Sequence, residues 1–266
     1  MERFRRYLER RLGWCFDDSR LPHLKAALEA RLTLKKTEFA TYLALLGNQP
    51  DSGEEIAALA EALTIGETYF YRDVAQLSAF AEIALVERRA VRGARLRVLS
   101  AACSTGEEAY TLLMAARDHD PLDFGAERVR VVGIDVNSAA IEKARRGRYS
   151  SWALRELPKP LKRYFRAVGA EFEVVPELRD AVTFEQRNLV ASDSSFWARA
   201  SWDVIFCRNV LMYLAPEAAE TVVRRMVRAL EPGGFLFLGH AETLKELPSE
   251  LRLRRTQSAF FYQRRP

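Results

Sequence analysis

The apolar positions change their period once along the chain, near Leu96. Before it they recur at helical spacing: Phe4, Tyr7, Leu8 and Leu12, then LPHLKAALEARL with Asp18 or Ser19 as its cap, then Phe39 to Leu46 and Ile56 to Leu63. Asn48 to Gly53, NQPDSG, reads as the loop between the last two. No strand is required, so residues 1–74 are expected to form a small all-helical domain. From Leu96 the pattern alternates. RLRVLSAA, RVRVVGIDV, AVTFEQRNL, WDVIFCRNV and FLFLGHAE read as strands. EEAYTLLMAARD, NSAAIEKARRG and PEAAETVVRRMVRALEPGG, the last with a Gly stop, read as helices. The tail LRLRRTQSAFFYQRR reads as two tightly joined strands. Residues 75–266 are therefore expected to form an α/β domain, a doubly wound and mostly parallel sheet ending in an antiparallel hairpin. A stretch at about 150–182 breaks the alternation with a short helix and a small strand pair around Phe172 to Val175. It reads as a β-subdomain inserted on the sheet rim.

Composition narrows the class. With 266 residues, 48% apolar and 29% charged, the chain is a soluble globular one with ample core. No apolar run approaches the roughly 18 residues of a spanning helix. The start, MERFRRYLERRLGW, is charged and amphipathic without an apolar signal core, which predicts a cytoplasmic location. The three cysteines, Cys15, Cys103 and Cys207, make no disulfide framework, and the histidines show no paired spacing, so no metal site is expected. A net charge of +5 permits nucleic acid, anionic membrane or an acidic protein as partner. The arginines are spread along the whole chain. Arg31, Lys35 and Lys36 lie about a turn apart and suggest a basic face on the helical domain.

The stretch RVLSAACSTGEEAY, Arg97 to Tyr110, carries the first chemical signal. A strand, a small-residue turn and a helix make a ligand site at the carboxyl edge of an α/β sheet. The turn lacks the Gly-rich run and Lys of a phosphate cradle, and it carries Glu107 and Glu108. It suits a ligand with hydroxyls and a positive charge, or else two acids complementing a helix dipole. Asp135 ends the second strand, where an acid accepts both hydroxyls of a ribose. Asn188-Leu189 ends the third. Arg208-Asn209 ends the apolar strand WDVIFC, with Tyr213 one turn on. Cys207 reads as a buried strand cysteine, and His240 with Glu242 as a structural pair. TIGETYFYRD, Thr64 to Asp73, sets Arg72 among Tyr69, Phe70 and Tyr71, a setting that holds a guanidinium in one pose.

Together these motifs resemble a known family. TIGETYFYRD, SAACSTGEEAY, GIDVN with IEKARRGRY, RNL, DVIFCRNVLMY and GGFLFLGHAE are similar, in order and spacing, to the CheR-type chemoreceptor glutamate methyltransferases, and so are the leading helices and the RYF-containing insert. The resemblance implies a helical N-terminal domain before a Rossmann-like class I methyltransferase sheet, with S-adenosylmethionine as cofactor and S-adenosylhomocysteine as product. It carries cofactor contacts onto Thr68, Arg72, Glu108, Asp135, Asn188, Leu189, Arg208 and Asn209, and sets Arg72 and Tyr213 beside the transferred methyl group as catalytic residues. Many members have Asn where this chain has Gly66.

The implied substrate is a glutamate side chain on the cytoplasmic helical region of a methyl-accepting chemoreceptor. A carboxylate is ionised at neutral pH, so no general base is needed and catalysis reduces to orientation. A monomer is expected, without nucleic acid or membrane insertion. The alternative is an S-adenosylmethionine-dependent nucleic-acid methyltransferase. Against it, the site that would need an Asn/Asp-Pro-Pro-aromatic loop to hold a flipped base reads RNVLMY, and Phe206, not proline, precedes Cys207. The short path RAVGAEF, Arg166 to Phe172, predicts direct recognition of the receptor helices without a tether to the receptor's C-terminal end.

Overall fold

The computed structural model describes residues 1–48, 53–64, 66–92, 95–122, 128–244 and 246–266. Four helices lead: α1 (Glu2–Leu12), α2 (Leu21–Lys35), α3 (Phe39–Gly47) and α4 (Glu54–Leu63). Most of the expected NQPDSG loop lies outside the described residues. Neither Asp18 nor Ser19 caps α2. Both lie inside a 3-10 turn, Asp18–Arg20, whose cap is Asp17, its carboxylate accepting from the Arg20 amide. α1 stops at Gly13 with φ 70, where a Cβ would come within 2.5 Å of Val190 Cγ1.

The expected basic face does not form as a free surface. Arg31 grips both oxygens of Glu55 at 2.7 Å, Lys35 reaches the same carboxylate at 3.1 Å, and Tyr42 donates to it at 2.8 Å. Glu55 is buried at 2% exposure, so these cations neutralise it. Lys36 ends α2 in the left-handed conformation.

After α4 the chain crosses to the second half through residues 66–73, with a turn at Phe70 and Tyr71 and no helix or strand. Phe70 packs edge-on against Tyr149 and Phe165 at 4.8 and 4.9 Å. Then follow α5 (Val74–Ala79), a π-helical turn (Phe80–Leu85) and α6 (Val86–Arg92).

The α/β region runs β1 (Leu96–Ala101), α7 (Glu107–His119), β2 (Val129–Asp135), α8 (Ser138–Arg146), β3 (Arg148–Tyr149), β4 (Phe165–Val168), β5 (Glu171–Val174), α9 (Pro176–Arg179), β6 (Val182–Gln186), β7 (Trp202–Cys207), α10 (Pro216–Ala229), β8 (Leu230–Leu238), β9 (Leu251–Arg255) and β10 (Phe260–Arg264). Seven strands make one sheet, in the order β6-β2-β1-β7-β8-β10-β9. The first five are parallel, and β10 runs antiparallel to both β8 and β9, the C-terminal hairpin the pattern predicts. The strand order reverses between β1 and β7, which opens a crevice at their carboxyl ends. The insert is a three-stranded sheet, β3-β5-β4, which also draws in Arg148 and Tyr149.

One expectation was wrong: EPGG does not end α10. The helix stops at Ala229, and Glu231 to Gly234 lie within β8 beside a register shift between Trp202 and Val204. Pro232 has no N–H to donate and Gly233 takes φ 76, both tolerated where a ladder is interrupted.

The central strands are apolar on both faces, as a covered parallel sheet requires. Val98, Val204, Phe206, Phe235 and Phe237 join the cluster containing α5, α7 and the insert. Leu99, Ala101, Ile205, Leu236 and Leu238 join a cluster that contains α10 and also Phe4, Leu8, Leu24, Tyr42 and Leu59 from the leading helices. The leading helices therefore share a continuous core with one face of the sheet.

Glu55 provides a stability test. Burial alone would raise its carboxyl, but hydrogen bonds from Arg31, Tyr42 and Lys35 outweigh it and lower the pKa from 4.5 to about 2. A depressed folded pKa contributes stability that is present above the unfolded value and is lost as pH falls through the folded one. Glu55→Gln is expected to cost about 2–3 kcal/mol at neutral pH. It should also flatten the loss of stability between pH 4.5 and about 2, read by urea denaturation of both proteins across that range.

Candidate active site

The crevice holds a cleft of about 380 Å³, within the roughly 300–1,000 Å³ of small-molecule sites. All nine residues singled out from the sequence line it: Thr68, Arg72, Glu108, Asp135, Asn188, Leu189, Arg208, Asn209 and Tyr213. They come from five separate stretches of chain.

The floor is the turn after β1. Ala102 and Ser104 take positive φ of 60 and 50, and Gly106 takes 92. At Gly106 a Cβ would stand 2.7 Å from Ala144 Cβ and 3.0 Å from Phe184 Cζ, so the tight turn needs glycine. The turn is pinned by Asp135, whose carboxylate accepts from the Ser104 amide at 2.8 Å and the Asn137 amide at 2.9 Å. Asn137, not Asp135, caps α8, accepting from the Ala140 amide. Burial pushes the Asp135 carboxyl above its ordinary range, against the pull of those two amides. Each oxygen keeps further lone-pair capacity for a hydroxyl.

The two acids of the turn separate. Glu107 is buried in the protein, accepts from Thr105 Oγ1 at 2.6 Å, and is raised by burial. Glu108 lines the cleft, but one oxygen accepts from Ser100 Oγ at 2.7 Å and the other from Arg208 Nε at 2.6 Å. Its charge is matched within the protein, so the preference for a cationic ligand inferred from this pair does not rest on Glu108.

Arg208 also donates to the Arg72 carbonyl at 2.9 Å. The Arg72 side chain donates to the Glu67 carbonyl at 2.8 Å, with its guanidinium 5.7 Å from the Tyr69 ring centre. Tyr213 lies across the cleft under the Arg20 guanidinium, 5.3 Å from the ring centre. Asn188 turns its amide onto the Arg11 carbonyl at 2.8 Å and accepts from the Val190 amide, tying the strand end to α1. Leu189 is buried. Cys207 is fully buried, and burial pushes its thiol well up, as a core cysteine requires.

His240 and Glu242 differ in role. Glu242, buried at 5% exposure, accepts from the Asn209 amide at 2.6 Å, Gly239 at 2.9 Å and Met212 at 3.3 Å. It holds Asn209 in its left-handed pose, φ 57. His240 is exposed. The sequence reading also missed the walls supplied by the N-terminal region, Leu12, Trp14 and Arg20. Trp14 bridges to Leu214, and the Cys15 amide donates to the Tyr213 carbonyl at 2.8 Å. The signal was present: WCFDDSR sets aromatics beside an Arg just after a glycine helix stop, much as TYFYR does.

Residues 66–260 match the family model described as CheR methyltransferase, SAM binding domain. The chain belongs to the CheR methyltransferase family. It is 32% identical to chemotaxis protein methyltransferase 2 of Vibrio cholerae over 98% of this chain and 91% of that one. It is 37% identical to the chemotaxis protein methyltransferase of Escherichia coli over 84% of this chain and 76% of that one, and 35% identical to chemotaxis protein methyltransferase 1 of Pseudomonas aeruginosa over 77% and 76%. The resemblance read from the motifs is borne out, and with it the α/β methyltransferase class and S-adenosylmethionine as cofactor. The site fits that cofactor. It offers a desolvated carboxylate with spare lone pairs and a floor of small residues, and at Gly66 a Cβ would meet only Ser104 Oγ, at 3.5 Å.

Glu242→Ala leaves buried amides without an acceptor and is expected to cost about 2–3 kcal/mol in denaturant unfolding, with Glu242→Gln losing less. His240→Ala should stay within about 0.5 kcal/mol of the parent, as exposed positions do.

Proposed function

We propose that this cleft moves the methyl group of S-adenosylmethionine onto glutamate carboxylates in the cytoplasmic helical region of methyl-accepting chemoreceptors. The observation that supports this most is that Arg72 and Tyr213, far apart in sequence, line one cleft with Asp135. When bound, the cofactor supplies a methyl group on a sulfonium, a good leaving group. Asp135 accepts the ribose hydroxyls. Asn188 and Leu189 present the strand end to the base, and Thr68, Glu108, Arg208 and Asn209 complete the contacts. Arg72, braced by the Glu67 carbonyl and the Tyr69 ring, orients the substrate carboxylate, and the Tyr213 hydroxyl steadies it. No residue has to remove a proton, because the nucleophile arrives ionised. The acceleration comes from holding an oxygen in line with the bond that breaks.

Residues 1–74 serve as the receptor-facing helical domain, 75–266 as the catalytic domain, with the β-subdomain at about 150–182. The enzyme works in the cytoplasm as a monomer. Among the described residues no helix is long and apolar enough to cross a membrane. The β4–β5 hairpin turns at Gly169 and Ala170, and direct recognition of the receptor helices, without a C-terminal tether, follows from so short a turn. Methylation of nucleic acid is disfavoured: Val210 follows Asn209 where a base-holding loop has proline, and the buried Cys207 is unsuited to act as a nucleophile.

Asp135→Ala should weaken S-adenosylmethionine binding by about 2–3 kcal/mol, the scale of lost charge-assisted hydrogen bonds. Because burial raises the Asp135 carboxyl, affinity in the parent should fall as pH drops through that raised value, while Asp135→Asn shows a flat profile. Titration calorimetry across acidic pH reads both, and unchanged affinity in a folded Asp135→Ala protein would remove Asp135 from the site.

Arg72→Ala should lower kcat for a receptor fragment by about a hundredfold, the scale for a displaced positioning group, with little change in melting temperature. Arg72→Lys should not restore it, since a point charge cannot replace a planar fork. Radiolabelled methyl transfer to the receptor fragment and to DNA tests the variants and the function together. Transfer to DNA alone would overturn the assignment.

A further inference from the structure

Arg20 and Arg72 line the cleft, Arg155 packs on the cleft residue Tyr69, and each of these three guanidiniums lies against aromatic rings. Arg20 lies 5.1 Å from the centre of Phe16 and 5.3 Å from that of Tyr213. Arg72 lies over Tyr69 at 5.7 Å. Arg155 lies between two rings, 3.8 Å from the centre of Tyr69 and 4.3 Å from that of Trp152. Its hydrogen bond goes to the Trp152 carbonyl at 2.9 Å. Among the described residues no carboxylate lies within ion-pair distance of Arg72 or Arg155, and Arg20, which donates to the Cys15 carbonyl, only helps lower the nearby Asp17 carboxyl; Arg88, Arg97, Arg208 and Arg254 each have a carboxylate partner. The acids at the rim are Glu61 and Glu67.

Trp152 is 71% exposed, a large apolar face that carries the Arg155 guanidinium and is otherwise open to solvent. It is not on a loose loop. It sits in a 3-10 turn, Ser151–Leu154, between buried Tyr149 and buried Ala153 and Leu154, and the Phe70 amide donates to the Ala153 carbonyl at 2.9 Å. That bond fixes the insert to the segment carrying Tyr69 and Arg72. Since Arg72 and Arg155 lie 5.7 and 3.8 Å from the centre of the same Tyr69 ring, their guanidiniums are at most about 9.5 Å apart, within the ~11 Å rise of two helical turns.

We infer that Arg155 and Trp152 form a specificity surface for the substrate helix, on which Arg155 pairs with a second acidic side chain one or two turns from the glutamate held by Arg72. This rests on the function proposed above. On a helix, residues three, four or seven positions apart share a face, so an acid at one of those offsets meets Arg155 when the reacting glutamate meets Arg72. Trp152 covers the apolar flank of the same helix, and its stacking pre-orders the guanidinium, reducing what binding must immobilise. The occupant is an acidic amphipathic helix, matched in charge to Arg72 and Arg155, which have no carboxylate partner among the described residues. The same stacked pair resembles a platform for single-stranded bases, and the test separates the two.

The experiment uses the full-length protein with a helical receptor fragment carrying the modified glutamate. Arg155→Gln and Trp152→Ala should each raise KM for the fragment about fivefold, leaving kcat and cofactor affinity unchanged, as expected for side chains away from the reacting atoms. Acids three, four and seven residues from the modified glutamate are then changed singly to Gln. One of these changes should raise the parent's KM by a similar factor and leave that of Arg155→Gln unmoved. A parent that methylates the fragment while both variants keep its KM overturns this inference alone. So does a fragment series that affects parent and Arg155→Gln alike. A parent that methylates no receptor fragment overturns the proposed function and this inference together. Salt-sensitive binding of a single-stranded oligonucleotide, lost in Trp152→Ala while KM for the fragment stays put, would assign the surface to nucleic acid.

Discussion

Much of the site depends on the buried guanidinium of Arg208. It joins Glu108 at 2.6 Å and the Arg72 carbonyl at 2.9 Å, and Glu108 in turn takes Ser100 Oγ. One side chain thereby connects the end of β7, the first turn of α7, β1 and the crossing segment. A charge this deep in protein is tolerable only when paired, so each partner is held where the other needs it. The consequence for Arg72 is a division of labour: its backbone is fixed from behind by Arg208, and its side chain is available to the cleft.

Strain collects around the same crevice. Tyr71, Asp73, Ala102, Ser104 and Asn209 all take positive φ, a conformation unfavourable for residues with a Cβ. Four of the five are held locally: Asp73 caps α5, Thr111 Oγ1 takes the Tyr71 amide, Asp135 takes the Ser104 amide, and Glu242 takes the Asn209 amide. Such residues persist where surrounding structure enforces them, and they cluster at functional sites. A reaction needing only orientation gains from this rigidity, because the groups that receive carboxylate and cofactor are placed before either arrives.

The leading helices are part of the site and not merely attached to it. Gly13 passes so close to Val190 that no side chain fits; its carbonyl accepts from the Ala215 amide, and the Cys15 amide donates to the Tyr213 carbonyl. Trp14 and Arg20 thus become walls of the cleft. The apolar seam that brings them there is the second face of the sheet, shared with α10.

The sequence by itself determined the leading helices, the alternation of strand and helix from Leu96 onward, the parallel sheet with its antiparallel tail, and the strand ends where chemistry gathers. These are local properties. The apolar period distinguishes helix from strand, and parallel strands must release their loops at one edge, so Asp135, Arg208 and Asn209 could be placed on that edge from the pattern alone. What only the tertiary structure decided is which charges are spent on the protein. Arg31 and Lys35 read as a basic surface, yet both neutralise Glu55. Glu108 read as an acid awaiting a cation, yet it is matched by Arg208. Arg155 gave no signal in the chain, yet among the described residues it stands with Arg72 without a carboxylate partner. The physical reason is that ion pairing depends on the distance between groups 24 or 100 residues apart along the chain, which no periodicity encodes.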